Sequence, residues 1–170
     1  MSLKDELRIE LIQTCNAYHA FLDEIPDKAF SKPSDNPAWT IGEVLFHMSL
    51  APRFMTTDLR MIISRPWLGR IFVLLVPRSL FDRLNDFYTR YGARNLSRSF
   101  LVEQYDKAHR RALRSLESLQ EDDFQKSMQY PGYDPILAGD VTVEKLYRYI
   151  RLHFEFHAEQ IRKKLRGILV

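Results

Sequence analysis

The sequence predicts an all-α protein, an up-and-down four-helix bundle with a helical insertion between the second and third long helices. Three observations predict it. Four long segments repeat apolar residues at gaps of three and four, the spacing that gives a helix one buried face. The period-two alternation of strands is almost absent. Clusters of proline, glycine and capping residues separate the segments. With 170 residues, 45% hydrophobic and 28% charged, the chain can bury one core, so residues 1–170 are read as a single domain.

The first helix runs from about Leu3 to Ile25, with Leu7, Leu11, Tyr18, Leu22 and Ile25 on one face, and Pro26 ends it for want of an amide donor. Residues 27–38 contain Pro33, Ser34, Asp35, Asn36 and Pro37 and read as a loop. Thr40 can cap the second helix while Glu43, three residues on, returns the bond, and Trp39 can staple onto Val44. This helix starts at Ile41 and runs through His47 toward Ile63, with a kink expected at Pro52.

Residues 64–98 are broken by Pro66, Gly69, Pro77 and Gly92 into short apolar pieces, which predicts short helices. The most apolar of them, Trp67 to Val76, contains Arg70 and falls far short of the roughly 20 residues that cross a bilayer. It reads as a buried helix or a homodimer contact, and no membrane association is expected. The third long helix begins near Ser99 and carries Leu101, Tyr105, Ala108, Ala112, Leu116 and Leu119. Glu121 to Asp140, with Pro131, Gly132, Pro135 and Gly139, reads as a long crossing loop that can border a site. Thr142 caps the last helix, Glu144 suits its positive end, and its inner face reads Leu146, Tyr149 or Ile150, His153, His157, Gln160, Ile161 and Lys164.

A formal charge of +3 is spread over every segment. The basic runs His109-Arg110-Arg111 and Arg162-Lys163-Lys164 read as solvated helix faces, which argues against nucleic acid as a partner. Cys15 is the one cysteine and has no internal disulfide partner. With charges at Lys4, Asp5 and Glu6 where a secretory signal needs an apolar run, a cytoplasmic location is expected.

The histidines carry the chemistry. His153 and His157, four apart on one helix, lie one turn apart on the same face, so two imidazoles can reach one ion. Apolar neighbours at Leu146, Ile150 and Ile161 place the pair inward, where each unpartnered imidazole costs about 1–3 kcal/mol. A shared divalent metal satisfies both. His47, on the core side of the second helix, supplies a third ligand, and three protein ligands with one open position is the arrangement of catalytic zinc sites. Neutral nitrogen donors suit zinc, nickel, iron or copper, and zinc or nickel is the expected ion. Gln160, His19 and Tyr149 are the residues expected to line the pocket or orient the ligands. Glu43 is engaged by the cap and Glu155 points off the ligand face, so no catalytic base is assigned. His109, beside two arginines, reads as solvated.

Two motifs resemble those of the DinB-like superfamily of four-helix-bundle metalloenzymes. Trp39-Thr40-Ile41-Gly42-Glu43-Val44-Leu45-Phe46-His47 is similar to its W-[ST]-x-x-E-x-[LI]-x-H, and His153-Phe154-Glu155-Phe156-His157-Ala158-Glu159-Gln160-Ile161 to its H-x-x-x-H-x-x-Q-[IL]. The resemblance implies that the metal-binding histidines fall on His47, His153 and His157 and the family glutamine on Gln160. It also implies kinship with thiol-dependent S-transferases. The expectation is a metal-dependent transferase or hydrolase acting on a small molecule, with a low-molecular-weight thiol as a candidate second substrate. The alternative is a non-catalytic bundle, with or without metal, that serves a structural or interaction role.

Overall fold

The computed structural model describes residues 1–134 and 136–168. Pro135, one of the expected loop prolines, lies outside the described residues. The fold is all-α and bundle-like. Helices α1 (Leu3–Glu24), α2 (Ile41–His47), α3 (Leu50–Ser64), α4 (Trp67–Leu75), α5 (Arg78–Gly92), α6 (Arg98–Glu117) and α7 (Val143–Ile168) follow in order. Helix α1 packs on α6 and α7, and α3 packs on the same two, so these four close a ring around the core.

The ends of the helices are set as their sequences require. Ser2 and Asp5 form a reciprocal cap on α1. Thr40 and Glu43 do the same for α2: the Thr40 amide donates to Glu43 Oε2 at 2.7 Å, and the Glu43 amide donates to Thr40 Oγ1 at 3.2 Å. The Lys145 amide donates to Thr142 Oγ1 at 3.1 Å at the head of α7. The predicted stripes are the core: Leu7, Leu11, Tyr18, Leu22 and Ile25 on α1 are buried, as are Leu101, Tyr105, Ala108, Ala112 and Leu116 on α6.

Four local expectations are corrected. The second long helix does not run on to a kink at Pro52; it stops at His47 and restarts at Leu50. Pro52 sits in the first turn of α3, where a missing amide donor is tolerated. The crossing segment is not all loop. After a 3-10 turn at Glu121–Gln125, strands β1 (Ser127–Tyr130) and β2 (Gly139–Thr142) pair antiparallel, from Ser127 opposite Thr142 to Tyr130 opposite Gly139. Of the two readings of the Trp67 to Val76 segment, the buried helix is overturned: Trp67, Leu74 and Leu75 on α4 are exposed.

His109 is not solvated. It is 2% exposed and stacks on Tyr105 with centroids 4.3 Å apart, and Tyr105 in turn stacks on Tyr18 at 3.6 Å. The flanking arginines misled the reading, because one helix turn places adjacent residues on different faces. Burial pulls the His109 imidazole down to about 4, so it sits neutral in the core.

The insertion α4–α5 closes over the bundle by two tight contacts. A Cβ on Gly92 would lie 2.2 Å from Phe46 Cζ, and one on Gly69 would lie 2.1 Å from Met128 Cγ. Glycine at these positions lets α5 seat on α2 and α4 seat on β1. No described helix is long and apolar enough to cross a membrane.

Candidate metal centre

The restart between α2 and α3 leaves His47 at the C-terminal end of α2, facing α7. There the nitrogens of His47, His153 and His157 lie within 4.8 Å of one another. His153 Nε2 and His47 Nε2 are 3.2 Å apart. The ring centroids are separated by 5.0 Å for His47–His153 and His47–His157 and by 4.5 Å for His153–His157. His47 and His153 are buried and His157 is partly exposed.

Burial lowers the basicity of all three. It pulls His47 down to about 3, with the neighbouring His157 adding to the effect. His153 is held well below its ordinary value by burial and then by the other two rings. His157 is lowered by burial, against the opposing pull of Gln160 and Asp134. Neutral imidazoles with lone pairs converging on one point are the state a divalent ion needs, and without an ion two ring nitrogens facing each other can share at most one proton.

The surroundings set the tautomers. His157 Nδ1 lies 2.8 Å from Gln160 Oε1; the amide oxygen only accepts, so Nδ1 carries the proton and Nε2 is left free. His47 Nδ1 lies 3.2 Å from Thr89 Oγ1, and the hydroxyl can accept in the same way. His153 Nδ1 is buried without a hydrogen-bond partner among the described residues. These observations fit an ion held by three Nε2 atoms, with two of the rings oriented from behind.

The structure places the other expected site residues unevenly. Gln160 holds His157, and Tyr149 packs against His153 with centroids 5.3 Å apart. His19 does not line this site: its Nε2 lies 2.7 Å from Asp106 Oδ1 between α1 and α6, close to Cys15. The sequence reading missed Thr89, which α5 buries completely behind His47, and Trp39, whose ring lies 4.7 Å from that of His47 and whose Nε1–H donates to Asp86 at 2.8 Å. The W-T pair of the α2 motif pointed to Trp39; no local signal pointed to Thr89, which reaches the site only because the insertion folds back.

The histidines form one end of a cavity of about 590 Å³. Its walls come from α3, from α4 and α5 of the insertion, from β1 and the segment after it, and from α7. Tyr133 ties that segment to the insertion by donating its hydroxyl proton to the Val76 carbonyl. The wall is mainly hydrocarbon and aromatic, with Phe54, Leu68, Phe72 and Phe156 among its residues. The cavity can therefore take a largely apolar small molecule and present one end of it to the three imidazoles.

The family model described as the DinB superfamily matches residues 10–161. That span includes all three histidines, both segments of the interrupted second helix and the insertion. No curated protein matches the chain.

Proposed function

The chain belongs to the DinB superfamily, and from that premise we propose that it is a metal-dependent enzyme of transferase or hydrolase type whose ion is held by His47, His153 and His157. The observation that carries this reading is the convergence of three neutral imidazoles in the wall of an apolar cavity, with no fourth His, Cys, Asp or Glu in the group among the described residues. A position left open toward the cavity suits catalysis better than a purely structural site. When bound, the ion supplies Lewis acidity to whatever occupies that position, a water or a thiol.

The protein's own residues do the rest. Thr89 and Gln160 fix the ring orientations of His47 and His157. Trp39 and Tyr149 flank the imidazoles and limit access of bulk water. The cavity wall orients the substrate, and kinship with S-transferases favours a low-molecular-weight thiol as the second substrate. Zinc or nickel suits three neutral nitrogen donors.

Elemental analysis of untagged protein tests the reading: about one zinc or nickel per chain is expected. Protein that purifies without metal, and whose melting temperature ignores added zinc and nickel, would sink it. One observation favours the alternative of a metal held for stability. The hydrogen bonds of the three rings go to Thr89, to Gln160 and to each other, so no carboxylate stands ready as a base. Metal-loaded and metal-free forms that differ widely in stability and turn over no electrophile with thiol or water would favour that second reading.

A further inference from the structure

The cavity is charged in one sense only. Asp35, Asp58, Asp82 and Asp134 line it and, among the described residues, no lysine or arginine does, although the chain has 25 Lys and Arg against 22 Asp and Glu. Three of the four acids have partners. Asp35 pairs with Lys164 at 3.5 Å and Asp82 with Arg78 at 3.7 Å. Asp134 accepts from the Tyr149 hydroxyl at 2.5 Å and from the Ile136 amide at 2.8 Å.

Asp58, on α3, forms no ion pair among the described residues. Its polar neighbour is the buried Tyr130 hydroxyl, which has no other hydrogen-bond partner there. Burial pushes the Asp58 carboxyl up to about 6, so it is still mostly ionised at neutral pH. A carboxylate in an apolar wall with no cation near it is costly, and a cation brought from outside relieves that cost. The aromatic rings of Phe54, Phe72, Tyr88 and Tyr130 in the same wall offer further favourable contacts to a cation.

We propose that Asp58, with the Tyr130 hydroxyl, is a cation-binding subsite, and that the molecule the cavity takes is a largely apolar amine whose ammonium sits on Asp58 while its other end reaches the histidines. The proposal rests on the reading of this cavity as the substrate site. At the Asp58 end a carboxylate or phosphate meets no counter-charge among the described residues and is repelled by the aspartate.

The test compares 4-phenylbutylamine, 4-phenylbutanol and 4-phenylbutyrate, which share a body and differ in charge, by calorimetric titration into the full-length protein. The amine is expected to bind at least about tenfold more tightly than the alcohol, and the butyrate most weakly. Asp58→Asn, whose fold is checked by circular dichroism and melting, should bring the amine down to the alcohol and leave the alcohol unchanged. Tyr130→Phe should lower amine affinity a few-fold. Asp82→Asn, at a residue already paired with Arg78, should leave the ranking intact.

Equal binding of amine and butyrate, no binding of any of the three, or an amine preference that survives in folded Asp58→Asn overturns the proposal. So does loss of the preference in Asp82→Asn. The same titrations on His153→Ala separate this from the metal reading. Metal content reports on the histidines and the amine-to-alcohol ratio reports on Asp58, so either can fail alone.

Discussion

In one part of the cavity nitrogens of three imidazoles lie within 4.8 Å of one another; in another, a single carboxyl faces a buried phenol and no cation. Both ends place ionisable groups in a largely hydrocarbon wall, and both suffer desolvation, but the consequences have opposite sign. Burial drives the histidines to the neutral form, which is the form that binds a metal ion. Burial only weakens the acidity of Asp58 and leaves a charge that the protein does not neutralise. The histidine end has Thr89 and Gln160 behind its rings and a geometry that suits an ion, whereas Asp58 has Tyr130 beside it and no counter-charge among the described residues. Each end thus specifies the kind of particle it lacks.

The largest effect expected at the histidine end comes from His153→Ala. Two ligands on different helices should hold zinc more weakly by well over the roughly 10–100-fold that loss of an orienting partner produces. Metal content should fall from about one ion per chain to near zero. In metal-free protein the same substitution removes a buried imidazole that has an unbonded nitrogen, so its cost in melting temperature should be small. Full metal retention in His153→Ala would show that the ion, if present, sits elsewhere.

Acidification should separate the two ends by slope. His47 titrates near 3 in the fold against about 6.5 in an unfolded chain. Between those values the unfolded chain holds the extra proton, so its contribution to stability is complete above about 6.5 and is lost as the pH falls, by up to about 1.4 kcal/mol per unit. His153 and His157 are lowered too and act in the same direction. The melting temperature of metal-free protein should drop from pH 7 to pH 5, and His47→Gln should flatten that drop. An unchanged slope would mean that the ring is not held neutral by burial. Bound metal should steepen the loss, because protons and the ion compete for the same nitrogens.

Thr89→Val keeps the side-chain shape and removes the oxygen facing His47 Nδ1. Metal affinity should weaken by about tenfold, with little change in metal-free stability beyond about 1 kcal/mol. This substitution asks whether the insertion takes part in the site or only covers it. Equal affinity in Thr89→Val and the parent would reduce α5 to a wall.

How much of this was legible in the sequence follows from how local each signal is. His153 and His157 share a helix face, and Thr40 and Glu43 close a cap three residues apart, so the chain itself fixes those geometries. The apolar stripes of α1 and α6 are legible for the same reason. The break between His47 and Leu50 stands in place of the kink expected at Pro52, because proline is a strong signal whose effect depends on its position in the turn. The β1–β2 pairing rests on strands of four residues, too short for alternation to register, whose ends pair Ser127 with Thr142 and Tyr130 with Gly139 across the intervening loop. Thr89 on α5 reaches His47, and Asp58 on α3 reaches Tyr130 on β1, from elements far apart in the chain, while Gly92 and Gly69 let the insertion seat closely on α2 and β1 around them. His109 shows the converse: a residue whose neighbours are charged can still face the core.

The smallest effect sharpens the comparison most, because its sign is the reverse of the histidines'. Asp58 titrates near 6 in the fold against about 3.9 unfolded. Above about 6 the folded protein bears the cost of an ionised, unpartnered carboxyl. That cost shrinks as the pH falls through the folded value and is gone below the unfolded one. Water in the cavity screens part of it, so about 1 kcal/mol is expected in place of the roughly 2.7 kcal/mol that two pK units would give. Asp58→Asn should therefore raise the melting temperature of ligand-free protein at pH 8 and leave it nearly unchanged at pH 4. Its acid-induced loss of stability should be steeper than the parent's between about pH 6 and 4, since the opposing contribution has been removed. A variant less stable than the parent at pH 8 would mean that Asp58 has a partner within the fold, and the cavity would then lack nothing at that end.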